Sequence, residues 1–183
     1  MEWQTTLKSI HPAKLVFLDE SGAKTSMTRL RGRAPKGQRV YDAAPHGHWG
    51  TTTMISSIRH DGTTACMTID GPTTGDVFQA YVRHILAPTL RPGDIVVLDN
   101  LSSHKRADAL TLIEKAGATV KFLPAYSPDL NPIEKMWSKI KELLRAAKAR
   151  TREALEQAIA KALNKVSPSD AAGWFQSCGY TIT

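Results

Sequence analysis

Two short apolar runs each break on an aspartate, and this pair restricts the fold more than any other feature of the chain. Leu15, Val16, Phe17 and Leu18 lead into Asp19; Ile95, Val96, Val97 and Leu98 lead into Asp99. A continuous apolar run of this length reads as a strand buried on both faces, as in a parallel sheet covered by helices. One acid after such a strand is ordinary. Two in one domain suggest a shared site, because ligands of open α/β sheets gather at the carboxyl ends of the strands.

The remaining pattern places these two strands in order. Residues 14–19 read as the first strand, ending at Asp19. Residues 23–48 are rich in Gly, Pro and Arg and read as a long loop with room for a short hairpin. Residues 51–60 and 63–71 are β-rich and flank Asp61-Gly62, a strong hairpin signal. Residues 73–90 read as a helix with Val77, Phe78, Tyr81, Val82, Ile85 and Leu86 on one face, Thr74 as N-cap and Pro88 near the end. Residues 94–99 and 119–126 complete five strands, with a helix over 104–116 stopped by Gly117 between them. A long helix follows, with Asn131 at the N-cap, Pro132 at the first position and a stripe of Ile133, Met136, Trp137, Ile140, Leu143 and Leu144. Trp137 is thereby expected in the core. Shorter helices are expected over 152–166 and 168–178. Alternation of strands and helices in the second half argues for parallel strands with helical crossovers, hence an α/β domain.

The chain has 183 residues, a fit to one domain. Cys66 and Cys178 are far apart and form no CxxC, so neither a disulfide framework nor a zinc site is expected. No apolar stretch approaches the roughly 20 residues of a membrane helix, and the N-terminus lacks a signal-peptide core. A cytoplasmic protein without a membrane partner is the expectation.

Net charge is +7, which points to an anionic partner, nucleic acid first. The distribution is more informative. Lys24, Arg29, Arg31, Arg33, Lys36 and Arg39 fall in one stretch without an acid, and Lys135, Lys139, Lys141, Arg145, Lys148, Arg150 and Arg152 in another with Glu142 alone. Both could be solvated surfaces; their position beside the acids favours a binding role. His46 and His48 form an HxH without a third soft ligand nearby and read as plain loop.

Two adjacent carboxylates repel, and a buried one would take a proton. A divalent metal removes the conflict, and oxygen donors suit Mg²⁺ or Mn²⁺. Such a site usually wants a third acid, for which Glu134 is the candidate. Glu134 also stands three residues after Asn131, the capping-box position, so a purely structural role competes.

The stretches "LDES", "LDN" and "YSPDLNPIEKMWSKIK" together resemble the catalytic domain of IS630/Tc1/mariner transposases. "GHWGTTTMI" and "DGPTTGDVFQAYV" are similar to segments of the bacterial IS630 branch. The resemblance covers roughly residues 14–180, and 34 residues separate Asp99 from Glu134, the DD34E spacing. It implies an RNase H-like fold, a five-stranded mixed sheet flanked by helices, with the first acid on the first strand, the second on the fourth and the third on a helix. It implies that Asp19, Asp99 and Glu134 are catalytic and hold two Mg²⁺ or Mn²⁺ ions. In such sites the ions lie roughly 3.5–4 Å apart and clamp the attacking and leaving oxygens of an in-line displacement. It implies hydrolysis at transposon ends and transfer of the 3′ ends into target DNA at TA, by a dimer on DNA.

Under this reading Lys24, Arg29, Arg31, Arg33, Lys36, Arg39, His104, Lys105, Lys135, Lys139 and Lys141 are the candidate DNA contacts. His104 could touch phosphate, sit near a metal, or simply begin a helix. Residues 1–183 are expected to form one catalytic domain, the helix-turn-helix DNA-recognition domains of the family being absent, so end recognition would fall to a separate subunit. Two alternatives stay open: an RNase H-fold nuclease that cuts without joining, and a non-catalytic DNA-binding remnant. An ATPase is rejected, because "GRAPKGQR" has Gln38 where a phosphate loop needs lysine.

Overall fold

A computed structural model describes Trp3, residues 10–47 and residues 49–181. The strands are β1 (Leu15–Lys24), β2 (Thr51–Arg59), β3 (Thr64–Asp70), β4 (Ile95–Leu98) and β5 (Thr119–Phe122). They form one sheet in the order β3-β2-β1-β4-β5. β1 pairs antiparallel with β2 and parallel with β4; β2–β3 is antiparallel and β4–β5 parallel. The helices are α1 (Gly75–Tyr81), α2 (Ala107–Lys115), α3 (Pro132–Ala147), α4 (Arg152–Leu163) and α5 (Pro168–Ser177). The five-stranded mixed sheet expected from the sequence is the one observed.

The two-residue side-chain period explains why β1 and β4 are apolar throughout. Leu15, Phe17 and Val97 pack on one face of the sheet with α3, α4 and α5. Val16, Leu18, Val96 and Leu98 pack on the other with Phe78, Tyr81, Val82 and Leu86 and with α2. Neither face of these central strands meets water. Ile133, Met136, Trp137, Ile140 and Leu144 carry α3 onto the sheet, all buried, each contributing about 1.5–3 kcal/mol of transfer free energy. Trp137 belongs to this core, as expected.

Several boundaries differ from the sequence reading. β4 stops at Leu98, so Asp99 lies just beyond the strand, and the helix expected over 104–116 is regular only from Ala107 to Lys115, after a 3₁₀ turn (Ser102–Lys105). β1 does not end at Asp19; it runs on to Lys24, because β2 continues the ladder from Asp19↔Ser56 to Lys24↔Thr51 after β4 has stopped pairing at Phe17↔Val97. The long loop therefore starts after Lys24, and no hairpin forms among its described residues. β5 stops at Phe122, since Pro124 cannot extend a ladder and Tyr126 is left-handed at φ 58°. The helix over 73–90 is regular only to Tyr81; a π turn (Val82–Leu86) and a 3₁₀ turn (Ala87–Thr89) carry it to its end around Pro88. Its N-cap is Thr74, whose hydroxyl accepts from the Val77 N–H. The Asp61-Gly62 hairpin is present, with Gly62 at φ 85° and Asp61 Oδ1 accepting from Thr63 N–H.

Candidate active site

The parity of the strands decides where the acids point. Asp19 follows Leu15 and Phe17 on the face covered by α3. Extending the β1–β4 register by two residues from Phe17↔Val97 sets Asp19 level with Asp99. Glu134 is in the first turn of α3, on the same side. The three side chains line one cleft of about 430 Å³, together with Asn100, Leu101, residues 123–128 and Asn131. Asp19 is buried at 8% exposure, Asp99 is partly open and Glu134 is exposed.

The electrostatics are those of crowded negative charge. Burial pushes the Asp19 carboxyl up, a bond from Glu20 N–H pulls it back, and the charges of Glu134, Asp99 and Glu20 raise it further, to about 7. Asp99 moves the other way. Burial opposes its ionisation, but the His104 ring and the Leu101 N–H bond its Oδ1 at 2.6 and 3.1 Å and hold it below the usual carboxylate range.

Of the three roles left open for His104, contact with a phosphate does not match its placement. It is fully buried, its ring 4.6 Å from that of Phe78, with Nδ1 on Asp99 and Nε2 2.9 Å from Glu20 Oε1. A ring with no exposed surface and both nitrogens engaged does not contact a phosphate. Burial draws its pKa down, yet the bonds to Asp99 and Glu20 outweigh this and hold it up at about 9. With acceptors at both ends, the charged ring donates both bonds. Glu20 was missed by the sequence reading. The available signal was parity: next to Asp19 on a strand, Glu20 must face the opposite side, where the helices following β4 begin.

The capping box at α3 does not form. Asn131 occupies the N-cap position, but its side chain accepts no bond from the helix, and its buried Oδ1 has no partner among the described residues. Glu134 makes no side-chain hydrogen bond to the cap. By contrast α5 has a complete capping box between Ser167 and Asp170. The structural explanation of Glu134 therefore lacks its bonds.

The basic candidates separate into groups. Lys24, Arg29, Arg31, Arg33, Lys36 and Arg39 are all exposed, as are Lys105 and Lys135; Lys141 is half-buried. Lys139 is committed to the fold: its Nζ donates to Asp170 Oδ2 and to the Lys165 carbonyl, tying α3 to α5. The basic loop is fastened near its ends. Arg150 donates to the carbonyls of Thr25 and Met27, and Lys148 pairs with Asp42. His46 is exposed in this loop, and His48 lies outside the described residues. Tyr126 is fully exposed and lines the cleft.

Among the described residues, no three histidine, cysteine or carboxylate side chains stand close enough together to hold one ion. The donor chemistry nonetheless fits a hard divalent cation. All three cleft acids offer carboxylate oxygens, and the Oδ2 atoms of Asp19 and Asp99 have no hydrogen-bond partner among the described residues. Burial first, and then the neighbouring carboxylates, raise Asp19, and a cation would offset both.

No sequence among curated proteins matches the chain significantly. Among solved structures it resembles the Mos1 transposase paired-end complex with left transposon end, at 17% identity and TM-score 0.71, over 96% of this chain and 55% of the other. It also resembles the Mos1 strand transfer complex, at 18% identity and TM-score 0.67, over 90% and 51%. A third likeness is to the intasome of simian T-cell lymphotropic virus in complex with PP2A regulatory subunit B56 gamma, at 11% identity and TM-score 0.56, over 83% and 49%. The chain thus spans about half the length of these chains, and the likeness is one of fold, RNase H-like. The family described as DDE superfamily endonuclease matches residues 14–156, a span that includes all three cleft acids, and the chain belongs to that family.

Proposed function

We propose that this chain is the catalytic domain of a DNA transposase of the IS630/Tc1/mariner class, in its bacterial IS630 branch. It hydrolyses strands at transposon ends and joins the 3′ ends to target DNA at TA. One observation carries the reading: Asp19, Asp99 and Glu134, from three separate elements and with the DD34E spacing, line a single cleft.

Asp19, Asp99 and Glu134 would hold two Mg²⁺ or Mn²⁺ ions. Bound there, the metal supplies Lewis-acid activation of the attacking oxygen and stabilisation of the leaving one. The residues do the rest. β1 carries Asp19, Asp99 follows directly on β4, and the buried stripe of α3 holds Glu134 on the same side. Arg29, Arg31, Arg33, Lys36 and Arg39 extend from the loop after β1, and exposed Lys105 and Lys135 follow the second and third acids along the chain. These cations grip phosphates without reading sequence. Tyr126 offers a ring for base stacking at the cleft. The Mos1 paired-end complex contains a transposon end, which supports DNA as the partner; a homodimer on DNA, with a helix-turn-helix unit for end recognition, completes the proposal.

The test is a pre-cut oligonucleotide end with a free 3′-hydroxyl, a supercoiled plasmid target and Mn²⁺. Joined product from wild type, and none from Asp99→Asn or Glu134→Gln, is expected. Cleavage without joining would leave the nuclease reading. Neither reaction in any variant would leave the DNA-binding remnant.

A further inference from the structure

The structure assigns Glu20 and His104 to the site as positioning residues: together they tie β1 to the segment after β4 and fix the carboxylate of Asp99. This rests on the metal-dependent reading above.

The need for such a tie follows from the sheet. The backbone ladder between β1 and β4 ends at Phe17↔Val97, two residues short of Asp19 and Asp99. Beyond that point, among the described residues, β1 keeps a backbone ladder with β2 alone, on its other edge. Asp99 itself lies outside any strand. The two acids that must stand side by side are therefore the ones no ladder joins. His104 spans the gap with side-chain bonds, 2.9 Å to Glu20 on β1 and 2.6 Å to Asp99. Its ring is fully buried against Phe78 of α1, so the bridge has little freedom to move.

The bridge also selects an oxygen. Both His104 Nδ1 and Leu101 N–H bond Asp99 Oδ1. Oδ2 accepts from neither and is left for the cleft. Glu20 and Asp19 are neighbours on opposite faces of one strand, and the Glu20 N–H donates to Asp19 Oδ1 at 2.8 Å. The arrangement places Asp19 on the metal-facing side and Glu20 behind it as the anchor. Outer partners that orient metal-ligating groups in this way commonly govern metal affinity by about 10–100-fold.

Mn²⁺ binding to the purified chain, followed by the loss of the free-ion paramagnetic resonance signal, tests the assignment. Near-UV circular dichroism checks the fold of each variant. Glu20→Gln removes the charge but keeps an acceptor for His104; Glu20→Ala removes both. We expect Glu20→Gln to bind Mn²⁺ within about threefold of wild type, and Glu20→Ala and His104→Ala to bind about 10–100-fold more weakly. Glu20→Ala at wild-type affinity would overturn the assignment. Glu20→Gln as weak as Glu20→Ala would also overturn it, since charge rather than position would then be responsible. If His104→Ala fails to fold, the Glu20 pair decides. A wild type that binds no Mn²⁺, alone or with a DNA end, removes the metal reading and the inference with it.

Discussion

Replacing Asp19 by asparagine should stabilise the metal-free protein and disable it at once. Asp19 is buried, and its carboxyl is raised from an ordinary value of 3.8 to about 7. Three units at 1.36 kcal/mol each set a ceiling of roughly 4 kcal/mol on the cost of its charge to the folded state. The sign follows from proton binding. The folded chain holds this proton more tightly than the unfolded one. Below about pH 4 the group is neutral in both states and costs nothing. From there to about pH 7 only the unfolded chain ionises, and the folded state loses ground steadily. Above that the cost is constant.

Asparagine keeps an Oδ1 to accept the Glu20 N–H and carries no charge. Its benefit should therefore be absent near pH 4 and full near pH 8. Even half the ceiling, about 2 kcal/mol, corresponds to about 4–8 °C in melting temperature for a domain of this size. The assay is thermal melting of wild type and Asp19→Asn with chelator present, at both pH values. Millimolar Mn²⁺ should then raise the wild type by mass action and leave the variant unmoved. A variant that melts below wild type near pH 8, or gains equally at both pH values, would refute the account of a site strained by its own charge.

Three further outcomes are expected. Glu134→Gln should melt within about 1 °C of wild type, because no cap bond is lost, while cleavage falls more than about 100-fold, beyond what loss of an outer partner costs; a destabilised but active variant would restore the capping role. Replacing Arg29, Arg31 and Arg33 together by alanine should lower the slope of log affinity against log salt by about 2–3 in a DNA-binding titration; an unchanged slope would take the loop off the DNA. Lys139→Ala should cost about 1 kcal/mol of stability through its tie to Asp170 with that slope unaltered, and a reduced slope would return Lys139 to the DNA surface.

The sheet was legible because burial on both faces leaves a plain mark. Leu15–Leu18 and Ile95–Leu98 are apolar at every position since each has a helical layer above and below. The end of β1 was not legible. Ser21, Gly22 and Ala23 carry no strand signal of their own; the β2 ladder holds them, a long-range contact that local pattern cannot report. Asp19, Asp99 and Glu134 were legible as a set only through their motifs, since 34 residues of intervening chain hide the proximity of the last two. His104 and Lys139 entered the list of DNA contacts for a shared reason. A polar residue near a site looks like a ligand contact in sequence, and what engages it instead is a partner elsewhere in the chain, Glu20 in one case and Asp170 in the other.

The first of these partners shows how the site is built. A strand carries alternate residues to opposite faces, so "DE" cannot place both carboxylates in one cleft. The cleft takes Asp19, and Glu20 goes to the far side of the sheet. A second buried acid there would only deepen the repulsion already felt by Asp19. The charged ring of His104 changes that balance: it neutralises one negative charge behind the sheet and reaches past its central layer to Asp99. The front of the site presents the three carboxylates, and behind the sheet the charged ring of His104 holds Asp99 below the usual carboxylate range. Sequence neighbours thus serve opposite halves of one device, and the period of the strand assigns each its side.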